Sequence, residues 1–94
     1  MDKIFEVIDK AGRKIRLTKK QWSHVRQDHP EVEEDEIKKV LQKPLKIVDK
    51  GKNKFFYYQY FKNKKPPAKY LRVIVNYLNG EGFIITAYFV RNIS

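Results

Sequence analysis

The C-terminal third of the sequence contains two long runs rich in apolar and β-branched residues, separated by a short turn. The runs are residues 70–78 and 83–90, and Asn79-Gly80-Glu81-Gly82 lies between them. Asparagine and glycine adopt the backbone conformations that a tight hairpin turn needs, whereas Val, Ile, Tyr and Phe favour strands. The pattern therefore predicts an antiparallel β-hairpin, and the rest of the chain must be arranged around it.

Cross-strand pairing in this hairpin determines which side chains share a face of the sheet. An odd-length connection places Arg72 opposite Tyr88 and Ile74 opposite Thr86, so that the apolar faces of both strands meet. Alternation then puts the odd-numbered residues of 83–89 on the apolar face and the even-numbered residues of 84–90 on the other. That second face carries a guanidinium, a hydroxyl and a phenol, which together can bind a phosphate. The alternative is a solvated face with an ordinary Arg–Tyr pair.

The N-terminal third predicts a second hairpin followed by a helix. Residues 3–8 and 13–17 are apolar or alternating, and residues 9–12 have the composition of a turn. The segment from Thr18 to Gln21 then matches a capping box. We therefore expect a helix that starts at Thr18 and runs to about His29.

A second helix is predicted directly after the first, with Pro30 in its first turn. Five acidic residues lie between positions 31 and 36, where the helix dipole favours negative charge, so we assign them no metal. Lys43-Pro44 ends the helix. The residues of its apolar face are expected to be buried: Val32, Ile37, Val40 and Leu41.

The remaining segments complete a prediction of fold class. Residues 45–49 and 55–62 read as strands, and residues 63–68 form a polar loop before the C-terminal hairpin. The predicted fold is α+β, with an N-terminal β-hairpin, two short helices and then a four-stranded antiparallel sheet that carries the helices on one face. A chain of 94 residues is expected to form a single domain over 1–94.

Composition excludes several classes of protein. The absence of cysteine removes disulfides, thiolate zinc sites and a cysteine nucleophile. No apolar run approaches the roughly 20 residues of a membrane span, and the first residues lack the pattern of a signal peptide. The four glycines are scattered and form no phosphate-binding loop. We therefore expect a cytoplasmic protein with no membrane partner and no cofactor.

The charge distribution favours an anionic partner. The chain carries 21 Lys and Arg against 11 Asp and Glu, a formal net charge of +10. Residues 50–69 combine lysines with interleaved aromatic residues and contain no acid. Cations neutralise phosphates and rings stack on unpaired bases, although a strand with buried rings and soluble edge lysines would look the same. The net charge predicts a nucleic acid or an acidic protein as the partner.

Histidine is the side chain that most often transfers protons near neutral pH, and the sequence has two. His24 and His29 both lie on the first predicted helix, but a separation of five residues points them in different directions. Each also has an ordinary explanation. His29 could simply end a helix, and His24 could pair with Asp28 on the surface.

Residues 22–31, WSHVRQDHPE, contain a Trp, a His two positions later, an aliphatic residue and then His-Pro-Glu. This segment resembles the motif of small phage-associated nuclease-like domains of the barnase–EndoU–colicin–RelE superfamily. The likeness continues through residues 43–47, the aromatic strand, and residues 70–75 and 83–88. It therefore covers nearly the whole chain from Ile15 onward.

The resemblance implies a RelE-like, metal-independent ribonuclease, a toxin-like hydrolase of a phage or mobile element. Such an enzyme cleaves RNA by attack of a ribose 2′-OH on the adjacent phosphorus, which leaves a 2′,3′-cyclic phosphate. His24 and His29 would transfer protons, Arg72 would hold the phosphate, and Thr86 and Tyr88 would donate hydrogen bonds. If only one histidine acts, His29 is the expected one, because a helix end can reach the edge of the sheet.

The resemblance also implies partners. RNA is the expected substrate, and an acidic antitoxin or immunity protein is the expected protein partner. The residues expected to bind the RNA are Lys54, Tyr58, Lys69 and Arg91.

Two other functions remain compatible with the residues, and a third is disfavoured. A non-catalytic RNA-binding domain would use the same basic and aromatic surface without a histidine. A protein-interaction module would present its basic face to an acidic partner. A sequence-specific DNA-binding protein is disfavoured, because Pro30 sits in the turn of the helix pair and the second helix begins with acidic residues.

Overall fold

A computed structural model describes residues 3–93 of the chain. The elements, in chain order, are β1 (Lys3–Ile8), β2 (Lys14–Thr18), α1 (Lys19–Asp28), α2 (Glu34–Gln42), β3 (Lys46–Asp49), β4 (Lys54–Tyr60), β5 (Tyr70–Leu78) and β6 (Glu81–Val90).

The strands form one six-stranded mixed sheet in the order β1-β2-β6-β5-β4-β3. The prediction of a four-stranded antiparallel sheet is therefore wrong, although the α+β class is correct. The N-terminal hairpin joins the sheet because β2 runs parallel to β6, with Ile15 opposite Gly82 and Arg16 opposite Phe83. Gly82 permits this approach, since a Cβ there would lie 2.9 Å from side-chain atoms of both Ile15 and Tyr77.

The β5–β6 hairpin has the predicted pairing for a different reason. Arg72 lies opposite Tyr88 and Ile74 opposite Thr86, as predicted. However, the connection is a two-residue turn at Asn79-Gly80. The extra residue that restores the predicted pairing is Ile85, which forms a bulge in β6 between Ile84 and Thr86. The bulge reverses the alternation before it, so Ile84 is buried in the core and Ile85 is 39% exposed. The prediction that residues 83 and 85 face the core is wrong.

The first helix follows its prediction and the second does not. Thr18 caps α1 by accepting a hydrogen bond from the Gln21 backbone N–H at 3.3 Å, and His29 ends the helix. Pro30 is not in the second helix, because residues 29–32 form a tight turn in which the Val32 N–H donates to the His29 carbonyl. The helix α2 starts four residues later, behind an N-cap at Glu33.

The core lies between the sheet and the helices. The helix α2 packs across β4, β5 and β1, while α1 packs mainly along β6. The predicted apolar face of the second helix is confirmed as fully buried, including Val32 just before it. The face of β4, β5 and β6 away from this core, the open face, carries the predicted polar side chains Arg72, Asn76, Thr86 and Tyr88, which are half-buried there.

Candidate functional site

The open face of the sheet is centred on an arginine held by two tyrosines. Tyr58, Arg72 and Tyr88 are cross-strand neighbours on β4, β5 and β6. The Arg72 Nε donates a hydrogen bond to the Tyr58 hydroxyl at 2.9 Å, and its Nη1 donates to the Tyr88 hydroxyl at 3.0 Å. The guanidinium is thereby fixed in position at the middle of the face.

The positive charge of Arg72 is not neutralised within residues 3–93. No Asp or Glu in that range forms an ion pair with it, and its other N–H groups make no further hydrogen bond there. Burial by itself lowers the pKa of Arg72, but the hydrogen bonds to Tyr88 and Tyr58 outweigh that effect and the pKa lies above its usual value. A fixed guanidinium with unused N–H groups is suited to binding a phosphate by two hydrogen bonds.

Arg16, on the same face, shows the opposite arrangement. Its guanidinium forms ion pairs with Glu6, at 3.1 Å, and with Glu81. It also lies over the Phe83 ring, 5.4 Å from the centroid. Two carboxylates therefore neutralise Arg16, whereas Arg72 is left to attract an external anion.

His29 joins the arginine cluster through its ring. It is the C-cap of α1, and its backbone N–H donates to the Val25 carbonyl. The imidazole stacks on the Tyr88 ring, with the centroids 5.2 Å apart and the planes inclined by 29°. Because α1 runs along β6, the end of the helix brings a titratable ring beside the Arg72 cluster.

His24 is not part of this arrangement. Its side chain is exposed on α1. Among the described residues, none forms a hydrogen bond, an ion pair or a ring contact with it, Asp28 included. The structure therefore brings His29 to the candidate site and leaves His24 outside it.

Thr86 and the predicted RNA-binding residues occupy different positions around the cluster. Thr86 lies two residues before Tyr88 on β6 and is half-buried on the open face. Tyr58 is fully buried, so it supports Arg72 and offers no ring surface to a base. The remaining predicted RNA-binding residues lie at the ends of strands: Lys54 at the start of β4, Lys69 just before β5, and Arg91 just after β6.

Sequence reasoning missed Phe56, which contacts Arg72 from the neighbouring strand. The Arg72 guanidinium carbon lies 5.0 Å from the centroid of this ring, and Lys50 Nζ lies 5.2 Å from the same centroid. The alternation of β4 was the available signal, since it places Phe56 and Tyr58 on one face and Tyr57 on the other.

A second polar cluster, also missed, ties the N-terminal hairpin to the centre of the sheet. Asp9 is only 4% exposed, and its Oδ2 accepts hydrogen bonds from the Tyr57 hydroxyl at 2.7 Å and from Arg13 Nε at 3.2 Å. The Tyr77 hydroxyl bonds to the Tyr57 hydroxyl, and the Arg13 guanidinium lies 4.4 Å from the centroid of the Tyr77 ring. Because three strands separate β1 from β4 in the sheet, this contact requires the sheet to curl.

The polar groups of this second cluster satisfy one another. Burial raises the pKa of Asp9, but the hydrogen bonds from the Arg13 backbone and Tyr57, together with the Arg13 charge, overcome it and hold that pKa below its usual value. Burial and hydrogen bonds to Tyr77 and Asp9 raise the pKa of Tyr57. The phenols therefore remain protonated at neutral pH, and we assign the cluster a structural role.

Comparison of the sequence with protein-family models and curated proteins, and of the fold with solved structures, finds no match. In the described part of the chain, neither helix has the length and apolar character needed to cross a membrane. Within the same residues no three His, Asp or Glu side chains are grouped as metal ligands would be.

Proposed function

We propose that the chain is a metal-independent endoribonuclease that leaves a 2′,3′-cyclic phosphate and a 5′-OH. The observation that carries the proposal is the un-neutralised guanidinium of Arg72, fixed by two phenols beside a stacked imidazole. The group of Arg72, His29 and Tyr88 offers the two functions that this reaction requires, a cation for the phosphate and groups that move protons. The resemblance of residues 22–31 to nuclease-like domains supports the same reaction.

The proposed reaction assigns a role to each group. His29, in its neutral form, takes the proton of the 2′-OH as that oxygen attacks the phosphorus. The bond to the 5′-oxygen breaks, and the departing oxygen takes a proton from the Tyr88 hydroxyl, which accepts from Arg72 and so keeps its own hydrogen free to donate. Arg72 binds the non-bridging oxygens, whose negative charge grows in the transition state, and Thr86 adds a hydroxyl donor.

The proposal extends to partners and location. A formal net charge of +10 suits both an RNA substrate and an acidic antitoxin or immunity protein that would cover the basic face. We place the reaction in the cytoplasm as a toxin-like activity of a phage or mobile element.

The deciding experiment compares matched variants of the two histidines. Purified protein is incubated with RNA in EDTA, and the 3′ ends of the fragments are analysed for cyclic phosphate. His29→Gln should abolish cleavage, whereas His24→Gln, the same change on the exposed side of α1, should leave it unchanged. Each variant's thermal unfolding is recorded, so that a loss of activity is not confused with a loss of fold.

The two arginines of the open face provide a second matched pair. Arg72→Gln should lower kcat/KM by 100-fold or more, a loss of about 3 kcal/mol in transition-state stabilisation. Arg16→Gln removes a cation that two carboxylates already neutralise, so it should change cleavage several-fold at most. Equal effects of the two substitutions, or cleavage that persists in His29→Gln, would contradict the proposal.

A non-catalytic RNA-binding module is the second candidate. It is favoured by the contact of Phe56 with both Arg72 and Lys50. An aromatic ring next to two cations can bind a base and its phosphates, and this binding needs no proton transfer. The same experiment separates the two functions. RNA binding without fragments, unchanged in His29→Gln, would identify a binding module.

A further inference from the structure

His29 and Phe56 lie on opposite sides of Arg72. His29 reaches the cluster from α1 along β6, whereas Phe56 lies on β4, and Arg72 lies on β5 between them. The Phe56 ring is half-buried, so part of it is accessible from the open face. A phosphate on Arg72 would therefore have a proton-transfer group on one side and an aromatic ring on the other.

The chain after β6 restricts the path that a ligand can take across this face. Val90 lies opposite Tyr70, and the Ile93 carbonyl accepts a hydrogen bond from Lys46 Nζ at 3.2 Å. Lys46 pairs with Tyr58, and Tyr58 pairs with Arg72, so residues 91–93 run from the Val90–Tyr70 end of the sheet toward the row of Arg72 and not to the row of Phe56. On the other side of Arg72 the sheet continues through the row of Phe56, Ile74 and Thr86, and the ring in that row is Phe56.

The side chains in that direction, two cations with an aromatic ring between them, match the phosphates and the base of one nucleotide. Arg72 and Lys50 both lie against the Phe56 ring, at 5.0 and 5.2 Å from its centroid. Lys54, two residues before Phe56 on the same strand, is also exposed. Both cations lie over the ring itself, so a base that stacks there displaces the exposed Lys50 ammonium. Arg72 then binds the phosphate on one side of the base, and Lys50 binds the phosphate on the other side.

We propose that the site takes single-stranded RNA, with a base next to the Arg72-bound phosphate unstacked from its neighbours and stacked on Phe56. The substrate class named here rests on the proposed ribonuclease function. A base inside a duplex is covered by its neighbours on both faces, so only an unpaired base can stack on a protein ring. Unstacking also frees the backbone to bring the 2′-oxygen into line with the departing 5′-oxygen.

The test measures binding with RNA that cannot be cleaved, so that affinity is independent of catalysis. The probes are two five-nucleotide RNAs with 2′-O-methyl groups. One carries the fluorescent base 2-aminopurine on the 5′ side of the central phosphate, and the other carries it on the 3′ side. Wild-type protein should quench one of the two labels. It should bind a longer duplex that contains the same sequence, long enough to stay paired, at least tenfold more weakly.

A matched pair of phenylalanine variants tests the ring itself. Phe56→Leu keeps an apolar side chain but removes the stacking surface, and should raise Kd for the single strand roughly 5- to 100-fold and abolish the quenching. Phe56→Tyr should retain both. Phe83→Leu, on the same face beside Arg16, should leave Kd within twofold. The comparison of single strand with duplex needs no variant, so the proposal stays testable if Phe56→Leu does not fold.

The outcomes separate this inference from the proposed reaction. Equal binding of single strand and duplex, quenching of neither label, or equal effects of Phe56→Leu and Phe83→Leu would overturn the inference, even if the protein cleaves RNA with His29. Binding that depends on Phe56, together with no cleavage of the unmodified RNA, would support the binding geometry and overturn the ribonuclease.

Discussion

Replacing Asp9 by asparagine tests whether the buried polar cluster holds the curled sheet together. Asp9 Oδ1 accepts hydrogen bonds from the backbone N–H groups of Ala11 and Arg13 at 3.0 and 2.8 Å, and an asparagine carbonyl keeps both. The Asp9 Oδ2 accepts from Tyr57 and Arg13, and Asp9→Asn replaces this oxygen by an NH₂ group. The substitution therefore preserves the turn and breaks the link between the hairpin and the sheet.

The expected loss of stability in Asp9→Asn follows from how deeply the Asp9 and Arg13 side chains are buried. Removing one member of a buried ion pair costs about 3–5 kcal/mol, because the other charge is left buried without a partner. The Asp9 side chain is fully buried, but the Arg13 side chain is 34% exposed and can turn toward water. We therefore expect Asp9→Asn to lower the free energy of unfolding by about 3 kcal/mol, the lower end of that range. Tyr77→Phe removes hydrogen bonds of a neutral phenol and should cost about 1 kcal/mol.

Urea unfolding at pH 7, followed by the fluorescence of Trp22 and by far-UV circular dichroism, measures both variants. A double variant that combines Asp9→Asn with Arg13→Met should be less destabilised than the sum of the two single variants, because the unpaired charge is then absent. A loss below 1 kcal/mol in Asp9→Asn, or a loss no larger than that of Tyr77→Phe, would refute the assignment of a structural ion pair to this cluster.

The remaining predictions concern pH and the parallel strand pair. The carboxyl of Asp9 has its pKa lowered by folding, so its stabilising effect is present above the ordinary value of 3.8 and is lost as the pH falls through the folded value. The difference in unfolding free energy between wild type and Asp9→Asn should accordingly narrow in urea titrations below pH 4; a constant difference would be inconsistent with this linkage. Gly82→Ala should lower the free energy of unfolding by about 1–3 kcal/mol, since the new Cβ would lie 2.9 Å from side-chain atoms of Ile15 and Tyr77. An unchanged urea midpoint would contradict this prediction and show that β2 can shift without loss of stability.

The elements that the sequence predicts well are those fixed by neighbouring residues. Thr18 and Gln21 are three positions apart and define the start of α1 by a single hydrogen bond. Asn79 and Gly80 both adopt positive φ, which fixes the hairpin between β5 and β6. The start of α2 was misplaced because Pro30 is compatible both with a first helical turn and with the tight turn that residues 29–32 form.

The elements that the sequence does not predict depend on residues far apart in the chain. Ile15 and Gly82 pair across β2 and β6, and alternation within either strand does not identify a parallel partner. Asp9 reads as an ordinary turn residue, and its contact with Tyr57 exists only because the sheet curls. The contact of His29 with Tyr88 also joins residues far apart in the chain. The sequence predicts that His29 ends a helix, but it does not predict which ring the imidazole stacks on.

The composition of the candidate site depends on one extra residue in β6. Gly82 and Ile84 face the core before the bulge, and Ala87 faces it afterwards, so the strand changes from even to odd inward positions at Ile85. Tyr88 therefore points to the open face, where it meets Arg72. The strand β6 pairs with β2 only at Gly82 and Phe83, before the bulge, and His29 at the end of α1 stacks on Tyr88 after it. The same local irregularity thus sets the register of Tyr88, the residue that contacts both Arg72 and His29.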